Sequence, residues 1–463
     1  MSSIKTISPV DNSLYAERPA QGPADIEAAL TRARTAFKQW RRTPLGERCA
    51  AVLRMVDAVT AQTERIAEEL TWQMGRPVSQ TPGELVGFAE RAQHMIDIAP
   101  AALADHVPEP IQGFERRIQR TPLGVVAVLS PWNYPLLTSV NAIVPALVAG
   151  NAVLLKPSHQ TPLVADHYLR AASEAGLPEG LVQALFLDHA LTAQLIASDG
   201  VDGVYFTGSV GGGIAVQQAL GNKFIPCGLE LGGKDPAYVR ADADIAFSAE
   251  NLVDGAFFNS GQSCCGIERI YVHASRYDEF VEAFVELTRH YRLGNPLDAD
   301  TNLGPMVKSS AADFVRGQIG EAVDQGARAL IDESLFKASA AGTPYLAPQV
   351  LLDVNHGMRI MTEESFGPVV GIMSVEDDNQ ALMLMNDSDY GLTASLWTED
   401  VTAANALGEQ LETGTVFMNR CDYLDPALAW TGVKNTGRGI TLSAMGYEHL
   451  TRARSFHLRT VHD

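Results

Sequence analysis

From residue 123 onward, short aliphatic runs alternate with stretches of helical periodicity, and this rhythm constrains the fold more than any other feature. Runs at 124–129, 152–155, 181–187 and 203–206 precede helical stretches near 137–149, 161–175, 191–197 and 210–220. Runs this short and continuously apolar suit strands buried on both faces, and a helix between two such strands makes them parallel. A second alternation runs from about 236 to about 434, with strand-like pieces at 237–239, 269–272, 347–351, 369–373, 393–397 and 414–418. The spacing predicts two α/β lobes, each a parallel sheet with covering helices. Ligands of such sheets bind beyond the carboxyl ends of the strands.

Residues 24–104 read as three helices. Ile26, Ala29, Leu30, Ala33, Phe37 and Trp40 recur at three- and four-residue steps. Pro44 opens a second helix, whose pattern runs through Ile66, Leu70, Trp72 and Met74 to Gly75, and 81–104 form a third. Residues 106–121 are polar, carry two prolines and suit an extended hairpin arm. Residues 451–461 alternate charged and apolar positions like an edge strand. Exposed edges need a partner, and pairing across a subunit interface would serve.

Composition narrows the function. Apolar residues make up 46% of the chain and charged residues 19%, enough for a core and unlike a disordered or collagenous chain. With 55 acidic against 35 basic residues, the net charge of −20 repels nucleic acid and anionic membranes. The most apolar window, 123–155, is interrupted by Pro131, Asn133, Pro135, Asn141, Pro145 and Asn151, so no membrane span is expected. The five cysteines are odd in number and form no CxxC pair, which argues against a disulfide framework or a structural metal site. The start shows no apolar leader. The expectation is a reduced, cytoplasmic protein with no metal and neither a nucleic-acid nor a membrane partner.

Three residues stand out chemically. Cys264 lies in the small-residue run FFNSGQSCC; a cysteine there is more often inert than reactive, since reactivity depends on environment. Glu230, in LELGGK, precedes it by 34 residues. A glutamate at a strand end is usually solvated, but beside a nucleophile it could act as a general base. Asn133, in PWNYP, reads either as a turn residue or as a donor to a developing oxyanion.

PWNYP, LLKPS, FTGS, LELGGK, FFNSGQSC and EESFGPV occur in this order, and together they resemble the aldehyde dehydrogenase superfamily over about residues 6–460. The resemblance implies an NAD(P)-dependent, metal-free oxidation of an aldehyde to a carboxylic acid. Cys264 matches the nucleophile that forms a thiohemiacetal and then a thioester. Asn133 matches one half of the oxyanion site, with the Cys264 N–H as the other, and Glu230 matches the base that activates hydrolytic water. The family register favours Cys264 over its neighbour Cys265. Trp132, Lys156, Ser158, His159, Thr207, Gly208, Ser209, Gly213, Leu231, Glu364 and Phe366 fall where the family holds its cofactor. Many NAD-preferring members carry glutamate where His159 stands. Its loss removes a repulsion, and a protonated imidazole would attract a 2′-phosphate, so NADP is expected to be tolerated or slightly favoured over NAD.

The substrate funnel is expected to draw on Tyr134, Leu137, Asn141, Phe258, Ser263, Cys265, Trp430 and the 420–426 loop. Arg420 suits a substrate carboxylate, whereas Asp422 and Asp425 suit an aminoaldehyde, and an uncharged aldehyde stays open. The alternatives are a CoA-acylating relative, which the presence of Glu230 opposes, and a cofactor-independent cysteine thioesterase or esterase, which needs a histidine partner. The implied fold is α/β: a Rossmann-like cofactor domain (1–105 and 122–232), a second α/β catalytic domain (233–435), and an oligomerisation arm with C-terminal strand (106–121 and 436–463). Such arms imply a homodimer or homotetramer.

Overall fold

The computed structural model describes residues 3–461, so residues 1, 2, 462 and 463 at the ends of the expected spans lie outside the described residues. The first sheet has six strands in the order Gly437–Arg438, Cys227–Glu230, Gly203–Thr207, Val125–Leu129, Ala152–Lys156 and Val182–Ala184. All neighbours are parallel except Gly437–Arg438, which runs antiparallel to Cys227–Glu230. Every residue of Val125–Leu129 is buried, which is why that run is apolar without alternation. Helices Pro135–Ala149, Leu163–Glu174, His189–Ala197 and Val210–Leu220 follow the strands.

The N-terminal helices number four rather than three. The second expected helix breaks at Ala61 and Gln62 into Leu45–Thr60 and Thr63–Met74, before Pro82–Ala102. Periodicity alone does not reveal this break, because an apolar face continues across it. Gly75, at φ 90°, ends the third helix in the left-handed conformation that glycine adopts without strain.

The second sheet has seven strands: Arg328–Ala329, Gln349–Leu352, Val369–Val375, Ile267–His273, Asp235–Val239, Thr393–Trp397 and Thr415–Met418. Only the short Arg328–Ala329 is antiparallel to its neighbour. The molecule is thus an α/β fold with two mainly parallel sheets. Among the described residues no helix is long and apolar enough to cross a membrane.

Thr451–Arg459 pairs antiparallel with Phe114–Pro122 of the same chain, in register from Thr451↔Pro122 to Arg459↔Phe114. The C-terminal strand thus finds one partner without a second subunit. Residues 437–450 do not join this ribbon as expected. Gly437–Arg438 completes the edge of the first sheet, and the helix Ser443–His449 buries Tyr447 against Pro82–Ala102, where its hydroxyl donates to the Met95 carbonyl at 2.7 Å. The tail therefore crosses back over the first sheet before it enters the arm, a path that local sequence does not encode.

Candidate active site

Two cavities meet between the sheets. The larger, about 470 Å³, opens at the carboxyl ends of the first sheet's strands. Trp132, Lys156, Ser158, Thr207, Gly208, Ser209, Leu231, Glu364 and Phe366 line it, as expected from the sequence. Ser130, Phe206, Gln262, Ala311 and Phe314 also line it, and sequence reasoning missed them. Two expected residues are absent from this wall. Gly213 lies under it: a Cβ there would meet Leu231 Cδ1 at 2.6 Å, so the glycine makes room for a side chain that does reach the cavity. His159 turns away, with its Nε2 donating to the Leu187 carbonyl at 2.8 Å. Burial pulls its pKa below the usual histidine value, which opposes the protonated form that would attract a 2′-phosphate.

Local chemistry explains the shape of this wall. Ser209 caps Val210–Leu220, its Oγ accepting from Gly212 N at 3.2 Å, so the helix N-terminus sits at the cavity's edge. Burial lowers the Lys156 pKa to about 8. Trp132 and Phe366 meet edge to face at 5.7 Å. Glu364 accepts from Gly233 N at 3.1 Å, and burial, with Glu268 nearby, raises its carboxyl to about 8. Glu268 ties two site-bearing loops together. It pairs with Lys234 at 2.5 Å and accepts from Ser365 N at 2.8 Å and Phe366 N at 2.9 Å.

The second cavity, about 240 Å³, is lined by Tyr134, Leu137, Asn141, Phe258, Ser263, Cys265, Asp422, Leu424 and Trp430. Arg420, expected here, points elsewhere: the side chain is exposed and its guanidinium stacks 3.5 Å over the half-buried Tyr423 ring. Asp422 takes the inward position instead. Its Oδ1 accepts from Ser263 Oγ at 3.1 Å and Cys265 Sγ at 2.9 Å, and burial raises its pKa to about 6. The Cys265 thiol is held well above its usual value by its hydrogen bond with Cys264, by burial and by Asp422, so Cys265 stays a protonated neighbour.

Arg76, Glu84 and Arg91 also reach this cavity, and sequence reasoning missed them too. Arg76 and Glu84 pair at 2.8 Å with side chains 1% and 0% exposed. Arg76 also donates to the Asn133 carbonyl and lies 4.2 Å over the Tyr134 ring. Glu84 Oε1 accepts from Leu136 N at 2.8 Å and Leu137 N at 3.2 Å, at the start of Pro135–Ala149. The pair therefore anchors the PWNYP turn. The signal was present: Glu84 and Arg91 fall on the apolar stripe that Phe88, Ala92 and Met95 define.

Cys264, Glu230 and Thr207 line both cavities. Cys264 follows a strained turn in which Asn259, Ser260 and Gly261 all have positive φ. A Cβ on Gly261 would stand 2.2 Å from the Gly367 carbonyl oxygen, so only glycine fits. The loop is stitched by Ser260 Oγ donating to Gly304 O at 2.8 Å and by Gln262 Oε1 accepting from Val307 N at 2.8 Å. The Asn133 Nδ2 donates to the Gln262 carbonyl at 3.2 Å, which holds the amide beside this loop. Glu230 accepts from Thr207 Oγ1 at 2.9 Å and from Thr441 Oγ1 at 2.5 Å. Burial raises its pKa; the two hydroxyls and Arg91 pull it partly back. Thr441 comes from the segment that the sequence placed in the arm.

The family model for the aldehyde dehydrogenase family matches residues 1–456. The succinate semialdehyde dehydrogenase [NAD(P)+] Sad of Escherichia coli (strain K12) is 33% identical over 441 residues, 95% of each chain. Among solved structures, the NADP-dependent glyceraldehyde-3-phosphate dehydrogenase of Bacillus halodurans C-125, complexed with NADP, superposes with a TM-score of 0.94 at 32% identity, covering 99% of this chain and 96% of that one. An indole-3-acetaldehyde dehydrogenase complexed with NAD+ gives 0.93 at 31% identity, with 99% and 93% covered. The chain belongs to the aldehyde dehydrogenase family. It is an NAD(P)-dependent oxidoreductase that takes a small-molecule aldehyde to its acid. The larger cavity suits that cofactor: a helix N-terminus and Lys156 for phosphate, the Glu364 carboxyl for hydroxyls and Phe366 for a ring.

Proposed function

We propose that Cys264 is the nucleophile, Glu230 the hydrolytic base and Asn133 the side-chain half of the oxyanion site. The observation that carries this reading is that Cys264 and Glu230 belong to both cavities, one suited to cofactor and the other to substrate. The Cys264 thiolate adds to the aldehyde carbon, and the carbonyl oxygen becomes an oxyanion that takes hydrogen bonds from Asn133 Nδ2 and the Cys264 N–H. Bound NAD(P)+ supplies the hydride acceptor. Glu230 then accepts a proton from the water that attacks the Cys264 thioester, and the acid leaves while the thiol is restored.

The 3–105 and 122–232 segments, with residues 437–450, serve the cofactor, and 233–435 carry the nucleophile. The 106–121 and 451–461 ribbon serves oligomerisation, since a lone two-stranded ribbon is marginal in water. NADP is accepted because residue 159 lacks a carboxylate and Lys156 supplies positive charge, not because His159 is protonated. Among the described residues no histidine lines either cavity, which disfavours a cysteine hydrolase.

Reduced-cofactor absorbance tests the reading, with NAD or NADP and a panel of succinate semialdehyde, 4-aminobutanal, butanal and benzaldehyde. Wild-type enzyme turns over without CoA. Glu230→Gln gives a burst of about one equivalent per site, then turnover slowed about 100-fold. A requirement for CoA, or no burst and unchanged turnover in Glu230→Gln, overturns the assignment of the base.

A further inference from the structure

The two buried arginines of the substrate cavity differ in one respect. Arg76 has a buried carboxylate partner, Glu84. Arg91 is 6% exposed and forms no ion pair with any described residue. Its one side-chain hydrogen bond runs from Nη1 to the Leu137 carbonyl at 2.6 Å. The residue lines the cavity that holds Cys264. Buried cations are as a rule paired. On the same wall Asp422 is turned to Ser263 and Cys265, and Glu230 to Thr207 and Thr441; Arg91 feels both charges but forms an ion pair with neither. One turn along Pro135–Ala149 from Leu137, Asn141 is 2% exposed, with both amide atoms unpartnered, and it lines the same cavity.

We propose that Arg91, assisted by Asn141, anchors a carboxylate at the far end of the substrate, so that the enzyme takes short acid-terminated aldehydes. The inference rests on the catalytic reading above. A substrate carboxylate would fill the vacant edge of the guanidinium with charge-assisted hydrogen bonds and accept from the Asn141 amide. A hydrocarbon tail would leave both groups buried and unsatisfied, a loss that discriminates strongly between substrates. Arg91 is bound to the carbonyl of Leu137, itself a wall residue, so the anchor and the wall move together.

The test compares kcat/KM for succinate semialdehyde, butanal and 4-aminobutanal in wild type, Arg91→Lys and Arg91→Gln. Wild type should favour the acid-terminated substrate. In Arg91→Gln the succinate semialdehyde to butanal ratio should fall about 30-fold, mostly through KM, with Arg91→Lys between. A ratio that stays constant in the variants, or a wild-type preference for butanal or 4-aminobutanal, overturns the anchor while leaving the catalytic reading intact. Failure to oxidise any of the three sinks the catalytic reading instead. Should the variants not fold, iodoacetamide alkylation of Cys264 in wild type gives the same decision. Succinate should slow it at concentrations where butyramide does not, and equal or absent protection by the two overturns the proposal.

Discussion

The cofactor cavity and the substrate cavity share Cys264 and Glu230, yet they are built differently. The cofactor wall draws mainly on short segments at strand ends: 130–133, 156 and 158, 206–209 and 230–232, closed by residues such as Gln262, Phe314 and 364–366. Each segment is short, so each leaves a compact motif. The substrate wall collects single side chains from distant elements, such as Arg76, Arg91, Tyr134, Asp422 and Trp430. A parallel sheet presents its strand ends in one row by its own geometry, whereas a funnel between helices depends on how those helices dock. The first kind of site survives divergence as recognisable motifs; the second is free to vary with the substrate.

The largest expected effect joins the two cavities. Cys264→Ala should lower turnover at least about 10⁴-fold with every aldehyde. Cofactor affinity, read by fluorescence titration, should stay within a few-fold. A variant that turned over normally would move the nucleophile to Cys265 and separate the cavities.

Next comes the scaffold of the substrate side. Glu84→Gln removes one partner of a fully buried ion pair and should cost about 3–5 kcal/mol in denaturant unfolding. It should also loosen the PWNYP turn that Glu84 and Arg76 hold, raising KM for aldehydes more than for cofactor. Equal changes in both would show that the two walls are not separately supported.

On the cofactor side, Lys156 has its pKa depressed to about 8 by burial. Its positive charge is present below that value and fades as pH rises through it. The preference for NADP relative to NAD should therefore decline several-fold between pH 7 and pH 9, and Lys156→Met should flatten the trend. A ratio constant with pH in wild type would remove Lys156 from phosphate recognition.

The smallest effect concerns Glu230. Thr441 lowers its carboxyl pKa by donating to the ionised form. Thr441→Val should raise that pKa, so the acid limb of the kcat profile should move to higher pH, by about one unit or less. A shift toward lower pH would contradict the hydrogen bond's role.

The βα rhythm by itself determined two parallel sheets, and with them the row of strand ends on which a cofactor could lie. Burial on both faces leaves its mark in composition, residue by residue, so Val125–Leu129 was legible without coordinates. The six ordered motifs likewise pointed to Asn133, Glu230 and Cys264 as candidates, because each sits in a short segment. What only the tertiary structure decided are the contacts between segments far apart in the chain. Thr441 meets Glu230 across 211 residues, and Arg76 meets the Asn133 carbonyl across 57. Arg420 and Asp422, two positions apart, face opposite ways: one over Tyr423 at the surface, the other onto Ser263. Their order in the sequence carries no sign of which turns inward, because the loop has no repeating backbone geometry from which to read a face. Arg91 shows the same divide. Its place on an apolar stripe was visible, but that it lies buried without an ion pair among the described residues depends on where Pro135–Ala149 and the 420–426 loop come to rest.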